Sequence, residues 1–226
     1  MSKNGESTFK IVIATDNHLG CYSNDAIRSD DSFATFEEVL KQSVAEQADF
    51  LLLGGDLFHH NRPSQPTVHR CLRLLKKYCL GSREVGFEVV SDQSFNFAEK
   101  RANFEDPNLK ISLPIFSIHG NHDDPTGIEN LSVMDIMSTA NFVNYFGKAV
   151  DISKINIKPV LMRKGRTKLA VYGLGSIKDE RLHRLFLDRK VKFSRPAEDK
   201  EDWFNIFVIH QNRFIDLLKQ VQAFFQ

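Results

Sequence analysis

The stretch that most restricts the fold of this chain is Phe50-Leu-Leu-Leu-Gly-Gly-Asp-Leu-Phe-His-His60. Four apolar residues bounded by a glycine pair read as a short buried strand. Asp56 follows where the chain leaves the carboxyl edge of a sheet, the place where open α/β sheets gather their chemistry. Gly54 and Gly55 allow a tight turn beneath that carboxylate.

The same grammar recurs three times. Lys10–Thr15 reads as a first buried strand and runs into Asp16-Asn-His18. In extended backbone, residues two apart share a side, so one carboxylate and one imidazole can converge on a cation. Leu113–His119 is a strand that runs into Gly120-Asn-His-Asp-Asp-Pro-Thr-Gly127, the densest polar cluster in the chain, turned by Pro125 and Gly127. Trp203–His210 is a last buried strand, again ending in histidine. Asp16, His18, Asp56, Asn121, His122 and His210 thus reach one structural position from four segments. Oxygen and imidazole donors without a thiolate suit Mn²⁺, Fe²⁺ or Zn²⁺ rather than a structural cysteine site. One carboxylate in the middle of such a set can bridge two ions, the arrangement that serves in-line attack on a phosphoryl group.

Between these strands the spacing predicts helices. Ser32–Glu46, capped from Ser29 to Asp31, turns Phe33, Phe36, Leu40 and Val44 inward. A second helix begins at Ser64 and carries an apolar stripe from Val68 to Cys79. Leu131–Thr139 is a short third, and Asp179–Asp188 a charged fourth. Gly81–Lys110 is weakly patterned and reads as a long surface excursion, with a short strand within Ser91–Phe97. Asn156–Arg163 and Lys168–Gly173 form a hairpin on a second sheet, and Val191–Asp202 is a charged loop. The tail from Phe214 has apolar residues at helical spacing.

Composition adds mainly exclusions. With 226 residues the chain can close one large α/β core. Its 30 Lys and Arg against 29 Asp and Glu give a net charge of +1, a total that can still hide a local basic face. Cys21, Cys71 and Cys79 lack metal spacing and read as free thiols. No signal peptide and no run long enough to span a membrane is visible.

Taken together, Asp16-Asn-His-Leu-Gly, Leu53-Gly-Gly-Asp-Leu-Phe-His, Ser117-Ile-His-Gly-Asn-His-Asp-Asp-Pro-Thr-Gly and Phe207-Val-Ile-His-Gln-Asn-Arg213 resemble the calcineurin-like metallophosphoesterase superfamily. Within it they look like the SbcD-like nucleases of double-strand-break repair. Tyr172-Gly-Leu-Gly-Ser-Ile and Asp179-Glu-Arg-Leu fit that branch as well, and the likeness covers residues 9–213. It implies an α/β fold, a β-sandwich flanked by helices. It assigns Asp16 and His18 to a first Mn²⁺, Asp56 to the bridge, and Asn121 and His210 to a second Mn²⁺. His122 becomes the proton donor, with Asp123 orienting it. His59, His60, His69 and His183 match no ligand position and default to surface or capping roles, and His119 packs beneath the site. The resemblance also implies DNA ends as substrate, a homodimer through the second and third helices, a coiled-coil ATPase of SMC type and a nibrin-type subunit as partners, and work in the nucleus on chromosomes and telomeres.

The family pattern closes with Gly-His-x-His on a further strand, one more ligand for each ion, and no such motif occurs here. The expectation is of residues 1–8 as a disordered lead-in, 9–213 as a C-terminally truncated nuclease domain, and 214–226 as a divergent tail, with weakened metal binding. Two other readings follow: a form that binds DNA or partners without cutting, and a phosphatase of the same superfamily. Against the phosphatase, Asp56 is followed by Leu-Phe-His-His-Asn-Arg-Pro rather than by an Asp-Arg-Gly segment.

Overall fold

The computed structural model describes residues 7–126 and 128–212. The expectations for the first six residues, for Gly127, and for the tail from 213 lie outside them.

Each short apolar run becomes a strand whose alternate residues serve two different cores. The first sheet has the order β1 (Ile11–Ala14), β2 (Phe50–Leu53), β4 (Ile115–Ser117), β5 (Asn144–Tyr145), every pair parallel. On β2, Leu51 and Leu53 pack with α1 (Asp31–Ala45), α2 (Gln65–Cys79) and α3 (Val133–Thr139). Phe50 and Leu52 face the other way, onto the second sheet. That sheet has the order β10 (Trp203–Ile209), β8 (Thr167–Leu174), β7 (Val160–Lys164), β3 (Glu88–Val89). On β8, Leu169 and Val171 meet the first sheet. Ala170, Tyr172 and Leu174 meet an outer layer made of α4 (Asp179–Leu187) and a parallel pair, β6 (Ile155–Ile157) with β9 (Val191–Phe193). The period of two along each strand therefore builds four layers: helices, sheet, sheet, and a helix with a two-stranded sheet. This is the helix-flanked sandwich that the motifs imply.

Helices α1 and α2 fall where the spacing predicts them. The Ser64 hydroxyl accepts from the Thr67 N–H at the start of α2, as expected of an N-cap. On α3, Ser132 and Asp135 form a reciprocal capping box.

Several expectations are corrected. Residues 91–97 hold no strand: Gln93–Phe95 is a single 3-10 turn and the strand lies just upstream, at Glu88–Val89. The excursion from 81 to 110 is no loose surface loop, because Phe87, Phe97 and Ala102 are buried against the second sheet. Residues 191–193 of the charged loop form β9, since Val191 and Phe193 bury beside Ile155 and Ile157. The hairpin is β7 and β8 alone, turned through Lys164–Thr167, while Ile155–Ile157 leaves it to pair with β9. Strands β1 and β10, expected to be buried, are sheet edges among the described residues, and the Ile13 side chain is 65% exposed. Between these two edges runs a groove of about 960 Å³ lined by Ile13, Leu52, Ile206 and Val208 at its apolar part and by Asp16, Asn121 and His210 at its polar end. Among the described residues no helix is long and apolar enough to cross a membrane.

A candidate two-metal centre at the carboxyl ends of both sheets

The donors converge because β1, β2 and β4 are parallel and in register, so their carboxyl ends open on one side. Strand β10 delivers His210 from the second sheet to the same place. Backbone bonds then stitch the loops together: Asp16 N–H donates to the Gly55 carbonyl at 3.2 Å and His18 N–H to the Asp56 carbonyl at 2.9 Å. The loop after β4 joins through the His122 N–H, which donates to Asp56 Oδ1 at 2.8 Å.

Asp56 sits at the centre and is buried, with 2% of its surface exposed. Its Oδ2 lies 3.7 Å from His18 Nε2 and 3.4 Å from His210 Nε2. Asp16, His18 and Asp56 can each bring a ligand atom within 4.8 Å of the others. Asn121 is exposed and lines the groove beside Asp16 and His210. Burial works against the charge on Asp56, yet the His210 ring and the His122 N–H hold the carboxyl below its ordinary range. Asp56 in turn pushes the His210 imidazole up to about 9, and the Gly54 carbonyl, 2.8 Å from Nδ1, adds to the effect.

Asp16, His18 and Asp56 all have left-handed backbone, with φ of 55°, 46° and 53°. Residues with a β-carbon adopt that region at a cost and keep it where the surroundings enforce it. Gly120 is required by close approach: a β-carbon there would stand 2.0 Å from Asp56 Oδ1 and 2.6 Å from the Asp56 backbone nitrogen. A carboxylate cradled this tightly, flanked by two imidazoles and reached by a second carboxylate, fits divalent cations of the Mn²⁺, Fe²⁺ and Zn²⁺ type.

His122 lies beside this cluster, its ring 4.8 Å from that of His18. Its Nδ1 is 2.8 Å from the His59 carbonyl. The carbonyl only accepts, so Nδ1 carries the proton of that bond and Nε2 faces away from it. Asp123 was expected to orient the His122 ring, and this is corrected. Its carboxylate accepts from the Gly120 N–H at 2.7 Å and the Phe58 N–H at 3.2 Å, so it locks the two loops rather than the imidazole. Burial pushes the Asp123 carboxyl up, and those N–H donors oppose the shift.

His59 is the site residue that the sequence reading placed elsewhere. Its Nδ1 is 3.3 Å from His18 Nδ1 and its ring stacks on His122 at 5.0 Å and 20°. Burial, then the neighbouring His60, His122 and His18, hold its imidazole below the ordinary value. The available signal was its position three residues beyond Asp56, after two apolar residues that bury and turn it back. His119 does pack beneath the site: it is buried, its Nδ1 is 2.7 Å from the Tyr145 hydroxyl, and burial lowers its imidazole to about 4.

A fold of two sheets with this cluster at their common edge defines a metal-dependent phosphoesterase architecture. The family model for calcineurin-like phosphoesterases matches residues 9–219, and the chain belongs to that family. Among its relatives, the chain is 57% identical over 211 residues to the double-strand break repair protein MRE11 of Mus musculus, covering 92% of this chain and 30% of that protein. It is 50% identical over 217 residues to the protein of that name from Arabidopsis thaliana, covering 91% and 30%. With the double-strand break repair protein mus-23 of Neurospora crassa it shares 44% over 216 residues, covering 95% and 29%. The chain thus spans about 30% of the length of the curated relatives it matches.

Proposed function

We propose that this chain is the nuclease part of a double-strand-break repair protein, hydrolysing phosphodiester bonds of DNA with two Mn²⁺ ions. The observation that carries the reading is Asp56, buried with one oxygen between His18 and His210 and the other on the His122 N–H. Two divalent ions, when bound, supply a nucleophile at neutral pH and neutralise the phosphoryl oxygens. Asp16, His18, Asp56, Asn121 and His210 are the side chains that would hold the two ions, with Asp56 the carboxylate that would be shared between them. His122 protonates the leaving oxygen from Nε2 while Nδ1 stays on the His59 carbonyl. Asp123 keeps the Gly120 and Phe58 loops at fixed separation. The substrate is a DNA end, cut as a 3′–5′ exonuclease and as a single-strand endonuclease, in the nucleus.

That the similar proteins from Mus musculus, Arabidopsis thaliana and Neurospora crassa are double-strand break repair proteins supports DNA repair rather than phosphatase work. Partners in this reading are a second copy of the chain, held through α2 and α3, an SMC-type coiled-coil ATPase and a nibrin-type subunit.

His122→Asn tests the central step. Mn²⁺ binding is retained and cleavage falls by about 10²–10⁴-fold. Unchanged cleavage at saturating Mn²⁺ removes His122 from the chemistry.

A further inference from the structure

The near-neutral total conceals a steep asymmetry. Residues 154–195 hold 13 Lys and Arg against three Asp and Glu, a net of +10. The whole chain carries +1, so the remainder carries −9. Part of this positive charge is already matched. Arg163 pairs with Glu88, Lys164 with Asp49, Lys168 with Asp199 and Asp202, and Lys190 with Asp188. Lys178, Arg181, Arg184, Arg189 and Lys192 are exposed and have no carboxylate partner among the described residues. All five lie on one continuous element, α4 and the turn into β9.

Their placement is ordered. Leu182 and Leu185 bury one side of α4 in the outer core, which fixes the helix on the second sheet. Arg181 and Arg184 are one turn apart and project off that buried side. Three carboxylates share the element: Lys190 holds Asp188 at 3.1 Å, the Asn212 amide donates to Asp179 at 2.6 Å, and Glu180 is exposed one turn before Arg184. The row starts at the site: Lys178 lines the groove whose polar end contains Asp16, Asn121 and His210. At about 1.5 Å per residue, Lys178 to Arg189 covers ~16 Å, the length of roughly five nucleotides of one strand of a duplex.

We propose that this α4–β9 face is the track on which a nucleic-acid backbone leaves the metal groove, each unpaired cation meeting a phosphate. The proposal rests on the nuclease reading for the identity of the polyanion and adds the surface that binds it. Arginine predominates, as suits phosphate oxygens, and Leu187 is the one large apolar side chain exposed along the row. Such contacts position the strand without reading its sequence.

The test is anisotropy of a labelled DNA duplex with a single-stranded overhang, in EDTA, across 50–200 mM salt, with the full 226-residue chain. Arg181→Ala/Arg184→Ala/Arg189→Ala is compared with Lys10→Ala/Lys41→Ala/Lys100→Ala, which removes the same charge elsewhere. The expected result is a salt slope shallower by about 1 per lost contact and at least tenfold weaker binding for the first variant, with less than twofold change for the second. Equal melting temperatures confirm that both variants fold. The proposal is overturned if the α4 variant binds like the parent, if both variants weaken alike, if the parent binds no DNA in EDTA, or if a poly-glutamate peptide binds the face as tightly as DNA. Cleavage with Mn²⁺ is read separately: a parent that binds DNA on this face but never cuts fails the nuclease reading and leaves the track standing.

Discussion

Gly120→Ala is the sharpest perturbation of the centre that leaves every ligand in place. The added methyl would stand 2.0 Å from Asp56 Oδ1 and 2.6 Å from the Asp56 backbone nitrogen, so it meets a carboxylate and a main chain, neither of which can swing aside. Relief requires the loops after β2 and β4 to part by about 1 Å. The His122 N–H bond to Asp56, now 2.8 Å, is then lost. Overpacking of this kind costs about 1–3 kcal/mol and a hydrogen bond to a charged acceptor about 1.5–3 kcal/mol. The total of roughly 3–5 kcal/mol corresponds to a melting temperature lowered by about 10 °C in a domain of this size. Catalysis suffers more, since a 1 Å misplacement costs about 10²-fold. Thermal melts with and without Mn²⁺ read both effects: the variant melts early and gains little from the ion. Gly86→Ala is the control, because its nearest neighbour would be 3.7 Å away. If Gly120→Ala melts within 2 °C of the parent and keeps the full Mn²⁺ shift, the cradle does not position Asp56 and the reasoning fails.

His210, pushed up to about 9 by Asp56, is charged at neutral pH in the metal-free protein. A raised histidine adds stability below about 6.5 that is lost as pH rises through about 9, whereas the ion needs the neutral ring. Mn²⁺ binding at pH 7.5 should therefore release about one proton, seen calorimetrically as a heat that varies with buffer ionisation; no buffer dependence would contradict the pairing. For assembly, α3 separates core from surface: Met134 is fully buried, so a charge there would unfold the chain, while Ile136 is 57% exposed. Ile136→Glu should convert a dimer to a folded monomer by sedimentation, and a parent that is monomeric at high concentration rejects the α2–α3 interface. Lys164 Nζ contacts Asp49 at 2.6 and 2.9 Å with both side chains largely buried. Lys164→Met leaves that carboxylate to the Lys10 N–H, which donates to Oδ2 at 2.7 Å, and should cost about 3 kcal/mol in urea unfolding; a loss below about 1 kcal/mol would show that water reaches it.

Much of this was legible in the chain. Short apolar runs followed within a few residues by Asp, His or Asn marked β1, β2, β4 and β10 and the donors beyond their ends, since a parallel sheet leaves its loops on one edge. Three- and four-residue spacing gave α1 and α2. Pairing between β6 and β9 was hidden because three-residue strands separated by 33 residues carry no turn signal. The insertion from 81 to 110 misled for a related reason: its anchors, Phe87 and Phe97, follow no period, so polarity dominated the reading. His59 meets His18 and His122 across 41 and 63 residues, and Asp123 meets the Phe58 N–H across 65 residues as well as the nearby Gly120 N–H, and only folding reveals the long-range partners.

The left-handed backbone at Asp16, His18 and Asp56 sets selection for stability against selection for activity. Glycine adopts that conformation freely, while a side chain there costs about 1–2 kcal/mol, less for aspartate. At Asp16, whose side chain is half exposed, replacement by glycine would relax the chain and remove a ligand in one step. Unselected drift would therefore tend to disarm the centre while making the domain sturdier. A copy of this domain freed from its chemistry should be recognised by glycines where the three donors stand, and by a higher melting temperature.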